Sequence, residues 1–342
     1  MLEKIRGAYW GAALGSALAK ATQNKARETI REQYGKVVDF FPAASDAPSA
    51  GLASNQVGGE LGNVLYLTKH ILAESGQLSG QLAMDALQEW EASTHGCFRF
   101  ADPTTQHIIS GKEAQNRLVR RKLWKGSYFC LSTNGLAIKA FPMGLLSGGD
   151  VDKAIANTCS ICLPDFRDVY SLQAGCAIAA AVSRAMHPNA TMTDIVQSGF
   201  YGVKEAEYMA KTIGCREYPG PSVEMRMEMA VEIALKHADP EKAMDELADM
   251  IGNCCMAAES IPAVFGILAA SGGDTMRAIL NAVNLGNDTA AAAAMSGAIM
   301  GTKNGVHSLD DALRKRLVMP QLFDLDLLAA ELTTIVERVQ CQ

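Results

Sequence analysis

Apolar residues recur at three- and four-residue spacing along most of the chain, and short polar joints marked by Gly, Pro, Asp and Ser separate them. That period lays an apolar stripe along one face of a helix. It predicts helices from about Leu2 to Thr22, Glu60 to Ser75, Ser79 to Ala92, Pro103 to Gly111, Val151 to Cys159 and Tyr170 to Met186. A further helix, capped by Thr193 or Asp194, runs to about Ile213. Asp239 followed by Pro240 reads as an N-cap with proline in the first helical position, opening a helix that Gly252 closes. More follow near Ile261 to Ala270, Thr275 to Asn284, Thr289 to Gly301, Ser308 to Leu317 and Leu325 to Val339. Residues 20–55, with Pro42, Ser45, Pro48 and Ser49, read as one long irregular loop of the kind that often carries function. One segment has the wrong period: from Val223 to Leu235 every odd position is apolar, which is the spacing of a strand. Thirteen residues are long for a strand, and the intervening Glu, Arg and Ala form helices well, so a helix is expected there too.

Composition sharpens this into a fold class. The 342 residues are 49% apolar but only 6% aromatic, so Ala, Leu, Ile, Val and Met make the core. Small and unbranched side chains favour helices and let them approach closely. Neither a repeat, nor βαβ alternation, nor a linker breaks the chain, so residues 1–342 read as a single all-α domain of roughly a dozen helices. Net charge is −6, and the short basic run Arg120, Arg121, Lys122 and Lys125 reads as a solvated turn, which argues against a nucleic acid polymer as partner. Nine cysteines are an odd number without the density of a disulfide scaffold. Cys159-Ser-Ile-Cys162 has redox-motif spacing but no second pair at zinc-ribbon spacing, so reduced thiols and a cytoplasmic location are expected. Lys4 and Arg6 before an apolar stretch ending Ala17-Leu18-Ala19 give the outline of a signal peptide. Gly7, Gly11 and Gly15 along one helical face fit a packed first helix better, and no other stretch suits a membrane.

Local motifs for chemistry are few. The six histidines are scattered, and neither a Ser-His-Asp set nor a phosphate-cradling loop can be assembled. The unusual segment is Asn281 to Thr289, where Asn284, Asn287, Asp288 and Thr289 lead directly into the small, apolar run Ala290 to Ala294. Asp288 or Thr289 reads either as a helix N-cap or as part of a polar cluster at the positive helix end, suited to a metal or a sugar diol.

Five segments in order resemble the ADP-ribosylglycohydrolase family. They are Gly7-Ala-Tyr-Trp-Gly11-Ala-Ala-Leu-Gly15-Ser16-Ala17-Leu18, Asp102-Pro-Thr-Thr105, Ser132-Thr-Asn134-Gly135 through Pro142-Met-Gly144, Ser260-Ile-Pro262-Ala263, and Ala282-Val-Asn284-Leu-Gly286-Asn287-Asp288-Thr289 with Gly297 to Gly301. The resemblance implies an all-α, orthogonal bundle of roughly a dozen helices around a central cleft. It also implies two Mg²⁺ ions, held by an early Thr-Asp-Asp and a later Asp-x-Asp-Thr, that promote cleavage at C1″ of a ribose. This sequence departs from the pattern: Val57-Gly58-Gly59 align with Thr-Asp-Asp, Ala290 and Ala291 replace the later Asp-Thr, Ser16 replaces an Asp and Lys139 an Arg. Asp288 is the one retained metal ligand, and Asn134 carries over as a substrate contact. A paired magnesium site is therefore doubtful, and the cofactor stays unknown.

Position adds Glu60, directly after the lost Thr-Asp-Asp, as a candidate catalytic partner for Asp288; two carboxylates suffice for glycoside hydrolysis without metal. The plainer reading of Glu60 is a first-turn acid favoured by the helix dipole. Asn287, Thr289 and Asn55 join Asn134 as candidate substrate-binding residues. Three functions stay open: a hydrolase acting on an ADP-ribosyl or other small ribosyl or glycosyl compound, a catalytically inactive binding or structural relative, and a lyase or isomerase on the same fold.

Overall fold

Side-chain caps start about half of the helices, Asp239 among them where the sequence marks it. The computed structural model describes residues 1–45, 47–109, 132–163, 168–319 and 323–340. The basic run around Arg120 lies outside them. The helices are α1 (Leu2–Ala19), α2 (Arg27–Tyr34), α3 (Gly59–Ala73), α4 (Gly80–Thr94), α5 (Cys97–Phe100), α6 (Gly135–Leu146), α7 (Val151–Ser160), α8 (Val169–Ala185), α9 (Met192–Ile213), α10 (Val223–Lys236), α11 (Pro240–Met250), α12 (Ala257–Ala270), α13 (Thr275–Val283), α14 (Thr289–Asn304), α15 (Asp311–Arg316) and α16 (Leu325–Gln340). Residues 103–109 are helical as well. Among the described residues no strand forms; extended pairing is confined to isolated bridges at 56/318, 133/256 and 168/216. Ser79, Asp150, Asp168, Ser222, Asp239, Asp274 and Asp310 each accept a first-turn N–H with the side chain.

The structure corrects four expectations. The 20–55 loop contains α2, whose single buried apolar side chain, Ile30, gives too weak a stripe to read. Arg27 and Arg31 on that helix pair with Asp245 of α11, so long-range charge rather than local pattern orders it. The cap of α9 is Thr191, not Thr193 or Asp194; Asp194 supplies the return half of a capping box. Helix α6 went unread because every one of its residues is buried, which leaves no polar face to set a period. For the same reason α12 begins at Ala257, four residues before the expected Ile261, with Pro262 inside it. The segment with strand-like alternation is helix α10: Met227, Ala230, Ile233 and Ala234 point inward, while Met225 and Leu235 of the odd-numbered series are exposed.

Five helices, α1, α6, α8, α12 and α14, are buried over most of their length and make the centre, with amphipathic helices such as α9, α11, α13 and α16 around them. At the middle, α1 and α14 run antiparallel in backbone contact. A methyl group on Gly7, Gly11 or Gly15 would overlap the carbonyl of Gly301, Gly297 or Ala293 respectively. Close approach of this kind maximises dispersion contact between backbones and tolerates no side chain. Where the crossing ends, the Thr22 hydroxyl donates to Thr289 Oγ1 at 3.0 Å, tying the exit of α1 to the start of α14.

Gly11→Leu is expected to lower stability by about 3 kcal/mol or more, read as the midpoint of urea unfolding, because two backbones must separate to admit it. Gly80→Ala, whose new methyl meets open space, serves as the control and should be neutral or slightly stabilising.

Candidate active site

The Asp288 turn is built from backbone. Gly286 and Asn287 hold left-handed conformations, with φ of 103° and 61°. The loop after α1 clasps them: Asn24 N–H donates to the Asn287 carbonyl at 2.8 Å, and Asn287 N–H donates to the Lys25 carbonyl at 2.8 Å. From the other side Asp288 N–H donates to the Asn253 carbonyl at 2.7 Å, and Asn253 Nδ2 donates to the Gly286 carbonyl at 2.9 Å. Asp288 therefore occupies the N-cap position of α14. Its carboxylate also faces outward from the helix and accepts a hydrogen bond from Asn134 Nδ2 at 2.8 Å.

Asn134 is delivered by a two-stranded contact. Asn134 N–H donates to the Cys255 carbonyl and Ala257 N–H to the Ser132 carbonyl, each at 2.9 Å. A third carboxylate, Asp102, arrives at the start of the 103–109 helix. It accepts the Thr104 and Thr105 N–H groups at 3.0 and 3.2 Å and the hydroxyls of Thr105 and Thr133 at 2.5 Å each. Buried Lys139 donates to Thr105 Oγ1 at 3.0 Å. Gly135 has to be glycine, since a side chain there would overlap the Asp102 carboxylate.

Glu60 enters from the first turn of α3. Its Oε1 accepts Gln23 Nε2 at 3.2 Å, while Oε2 is buried with no hydrogen-bond partner among the described residues. Burial pushes this carboxyl up to about 7, helped by the negative charge of Asp288. Asp288 is also raised by burial, but Asn134 and the Ala291 N–H favour its charged form and hold it back. Lys20, buried at the end of α1, donates to the Ala53 carbonyl. Burial lowers its ammonium to about 8, against the pull of Glu60.

All but Lys20 of the charged groups face one cavity of about 250 Å³, lined by Glu60, Asp102, Asn134, Asn287, Asp288 and Lys139 together with Trp90, Phe100, Ile138, Cys254 and Cys255. A larger groove of about 610 Å³ between α3 and α16 contains none of the candidates. Of the residues singled out in the sequence, Glu60, Asn134, Asn287 and Asp288 meet here. Thr289 does not: its hydroxyl is buried between Thr22 and Ala19 and holds α1 to α14. Asn55 does not either; it donates to the Arg316 carbonyl beside α15. Sequence reasoning missed Asp102, Lys139 and Gln23 as members of the site. The readable signal was Asp102, an acid at the head of the resembling segment Asp102-Pro-Thr-Thr105.

A family model for ADP-ribosylglycohydrolase matches residues 1–340. The chain belongs to the ADP-ribosylglycohydrolase family. It is 25% identical over 319 residues to the uncharacterized protein YegU of Escherichia coli (strain K12), covering 92% of each chain. It is 24% identical over 314 residues to an uncharacterized protein of Archaeoglobus fulgidus, covering 89% of this chain and 88% of that one. Among solved structures, an ADP-ribosylglycohydrolase-related protein complex superposes with a TM-score of 0.63 at 14% identity, covering 98% of both chains. That likeness places the all-α fold. No helix among the described residues is long and apolar enough to cross a membrane.

Because the Glu60 carboxyl titrates higher in the folded chain than its ordinary 4.5, folding favours its protonated form. Its contribution is full below about 4.5 and is lost as pH rises through about 7. Glu60→Gln should therefore raise the thermal midpoint relative to the parent at pH 8, with the difference shrinking or reversing at pH 4.5; a difference independent of pH would contradict the burial of this group.

Proposed function

We propose that this protein hydrolyses a glycosidic bond of an ADP-ribosyl or other small ribosyl compound, with Glu60 as proton donor and Asp288 as the opposing carboxylate. The observation that carries this is the different surroundings of two acids on one cavity: burial raises the Glu60 carboxyl to about 7, with Oε2 left without a hydrogen-bond partner among the described residues, while Asn134 donates to the Asp288 carboxylate and favours its charged form. Two carboxyls in unlike environments are the pattern of an acid and a base. Protonated Glu60 gives its proton to the leaving group. Asp288 takes a proton from the water that attacks the anomeric carbon, and Asp102 adds negative charge facing the oxocarbenium-like centre.

The residues present do not fit two magnesium ions. Val57, Gly58, Ala290 and Ala291 offer no side-chain oxygen, and hard cations of this class need several. The space beside Gly58 is taken, since a side chain there would overlap Glu60 Oε2 and Ser16 Oγ. Among the described residues no three His, Cys, Asp or Glu side chains gather as a metal set. The Lys20 ammonium is bonded to the Ala53 carbonyl and feels the Glu60 charge, but it does not line the cavity.

Those same losses favour a second reading, a family member that binds a ribosyl ligand without turning it over. Turnover separates the two. With a panel of nucleosides and ADP-ribosyl compounds, the parent should release free ribose or ADP-ribose equally well in magnesium and in EDTA. Asp288→Asn and Glu60→Gln should each lower kcat by about 10²- to 10⁴-fold, and the alkaline limb of the pH profile should fall near 7, where Glu60 loses its proton. Ligand binding by calorimetry with no product from any compound would leave the binding reading standing, and undiminished turnover in Asp288→Asn would remove Asp288 from the mechanism.

A further inference from the structure

Helix α3 carries a second polar side chain that the fold leaves unused. Asn63 stands one turn beyond Glu60, so the two share a helix face. Asn63 is only 7% exposed, yet among the described residues its carboxamide has no hydrogen-bond partner. What surface it keeps opens into the 250 Å³ cavity, which it lines. Shutting an unpaired carboxamide away from water destabilises the folded chain, so its retention asks for a reason outside the fold. The other amides on this cavity stand differently. Gln23 donates to Glu60, Asn134 donates to Asp288, and Asn24 and Asn287 are exposed.

Position says which part of a ligand would meet Asn63. Asn63 and Lys139 are shared between this cavity and a space of about 10 Å³ walled by Leu67, Leu87 and Leu136. No ring fits beyond them, so they mark the inner end. Trp90, Phe100 and Ile138 give the cavity an apolar wall for a planar group. At about 250 Å³ the cavity lies just below the range for drug-sized ligands, roughly 300–1,000 Å³. It suits a sugar carrying one heterocycle rather than a wholly enclosed dinucleotide.

We propose that Asn63 binds the leaving group, and that this group is a planar heterocycle with a carbonyl and a ring N–H side by side, as in a nucleobase lactam. The favoured substrate class is then an N-riboside of such a base. The orientation rests on the hydrolase reading above: Glu60 gives its proton on the leaving-group side, and Asn63 shares its helix face. Asn63 Nδ2 donates to the carbonyl, and Oδ1 accepts from the ring N–H. A lactam satisfies both atoms at once. A guanidinium, which only donates, would leave Nδ2 unpaired, and a lone hydroxyl reaches one of the two atoms at a time.

In the reaction the bond between C1′ and the base nitrogen breaks, and a bond from C1′ to the water oxygen forms. The electron pair goes to the base, Glu60 supplies it with a proton, and Asp288 takes a proton from the water. Exchange with solvent resets both acids. Riboside and water become free base and ribose. Negative charge that builds on the base carbonyl is met by Asn63 Nδ2–H, so this contact strengthens towards the transition state.

Inosine has a lactam edge and purine riboside has none; their free bases, hypoxanthine and purine, differ in the same way. The parent should bind hypoxanthine at least about tenfold more tightly than purine in calorimetry, and should hydrolyse inosine with a kcat/KM at least about tenfold above that for purine riboside. Asn63→Leu keeps the side-chain size and removes the polar atoms. It should abolish both preferences while its thermal midpoint stays level with the parent or rises, because an unpaired buried carboxamide is gone. Equal affinity for the two bases in the parent, or none for either, overturns the proposal with no variant needed. So does an unchanged preference in Asn63→Leu, or a midpoint well below the parent, which would make Asn63 part of the scaffold. Binding keeps this test apart from the hydrolase reading. Hypoxanthine held through Asn63, with no riboside or ADP-ribosyl compound turned over, removes hydrolysis and leaves the base site. Turnover of an ADP-ribosyl compound without any preference for the lactam overturns the base site and keeps hydrolysis.

Discussion

Backbone meets backbone where α1 crosses α14, and the candidate site depends on that crossing. Because Gly7, Gly11 and Gly15 leave no room for a side chain against Gly301, Gly297 and Ala293, the two helices lock antiparallel in a fixed register. Their register puts the exit of α1 beside the entrance of α14. The Thr22 to Thr289 bond fastens that junction, and the backbone ladder between Asn24, Lys25 and Asn287 extends it. Gln23, in the same turn, reaches across to Glu60. A steric constraint several turns away thus sets where both Asp288 and Glu60 stand.

Electrostatics follows from this placement. Hydrogen bonding differs sharply among the three carboxylates around one small cavity. Asp102 accepts two backbone N–H groups and two hydroxyls, and Asp288 accepts an amide, whereas Glu60 Oε2 is buried without a hydrogen-bond partner among the described residues. Burial therefore raises the Glu60 carboxyl to about 7. The Glu60 carboxylate fills the space beside Gly58, where a side chain would also overlap Ser16 Oγ.

Much of the fold was legible because helix signals are local. Caps such as Asp150 and Asp239 and the stripes of α3 and α4 lie within a few residues of the structure they set. Helix α6 escaped because a wholly buried helix carries no alternation, and α2 because an ion pair with α11, over 200 residues away, orders it. At the site, Asp288, Asn134 and Glu60 could be found by motif and position. Asn55 and Thr289 were drawn in by nearness in sequence, and the folded chain uses both as ties.

The sequence by itself determined the helical class, the glycine face of α1, the family and the missing oxygen donors, since each is a matter of residue type at short spacing. Only the tertiary structure decided that Asp102 joins Glu60 and Asp288 on one cavity, and that burial raises the Glu60 carboxyl. Those facts rest on contacts between segments tens to hundreds of residues apart and on burial, and neither is written in the order of residues along the chain.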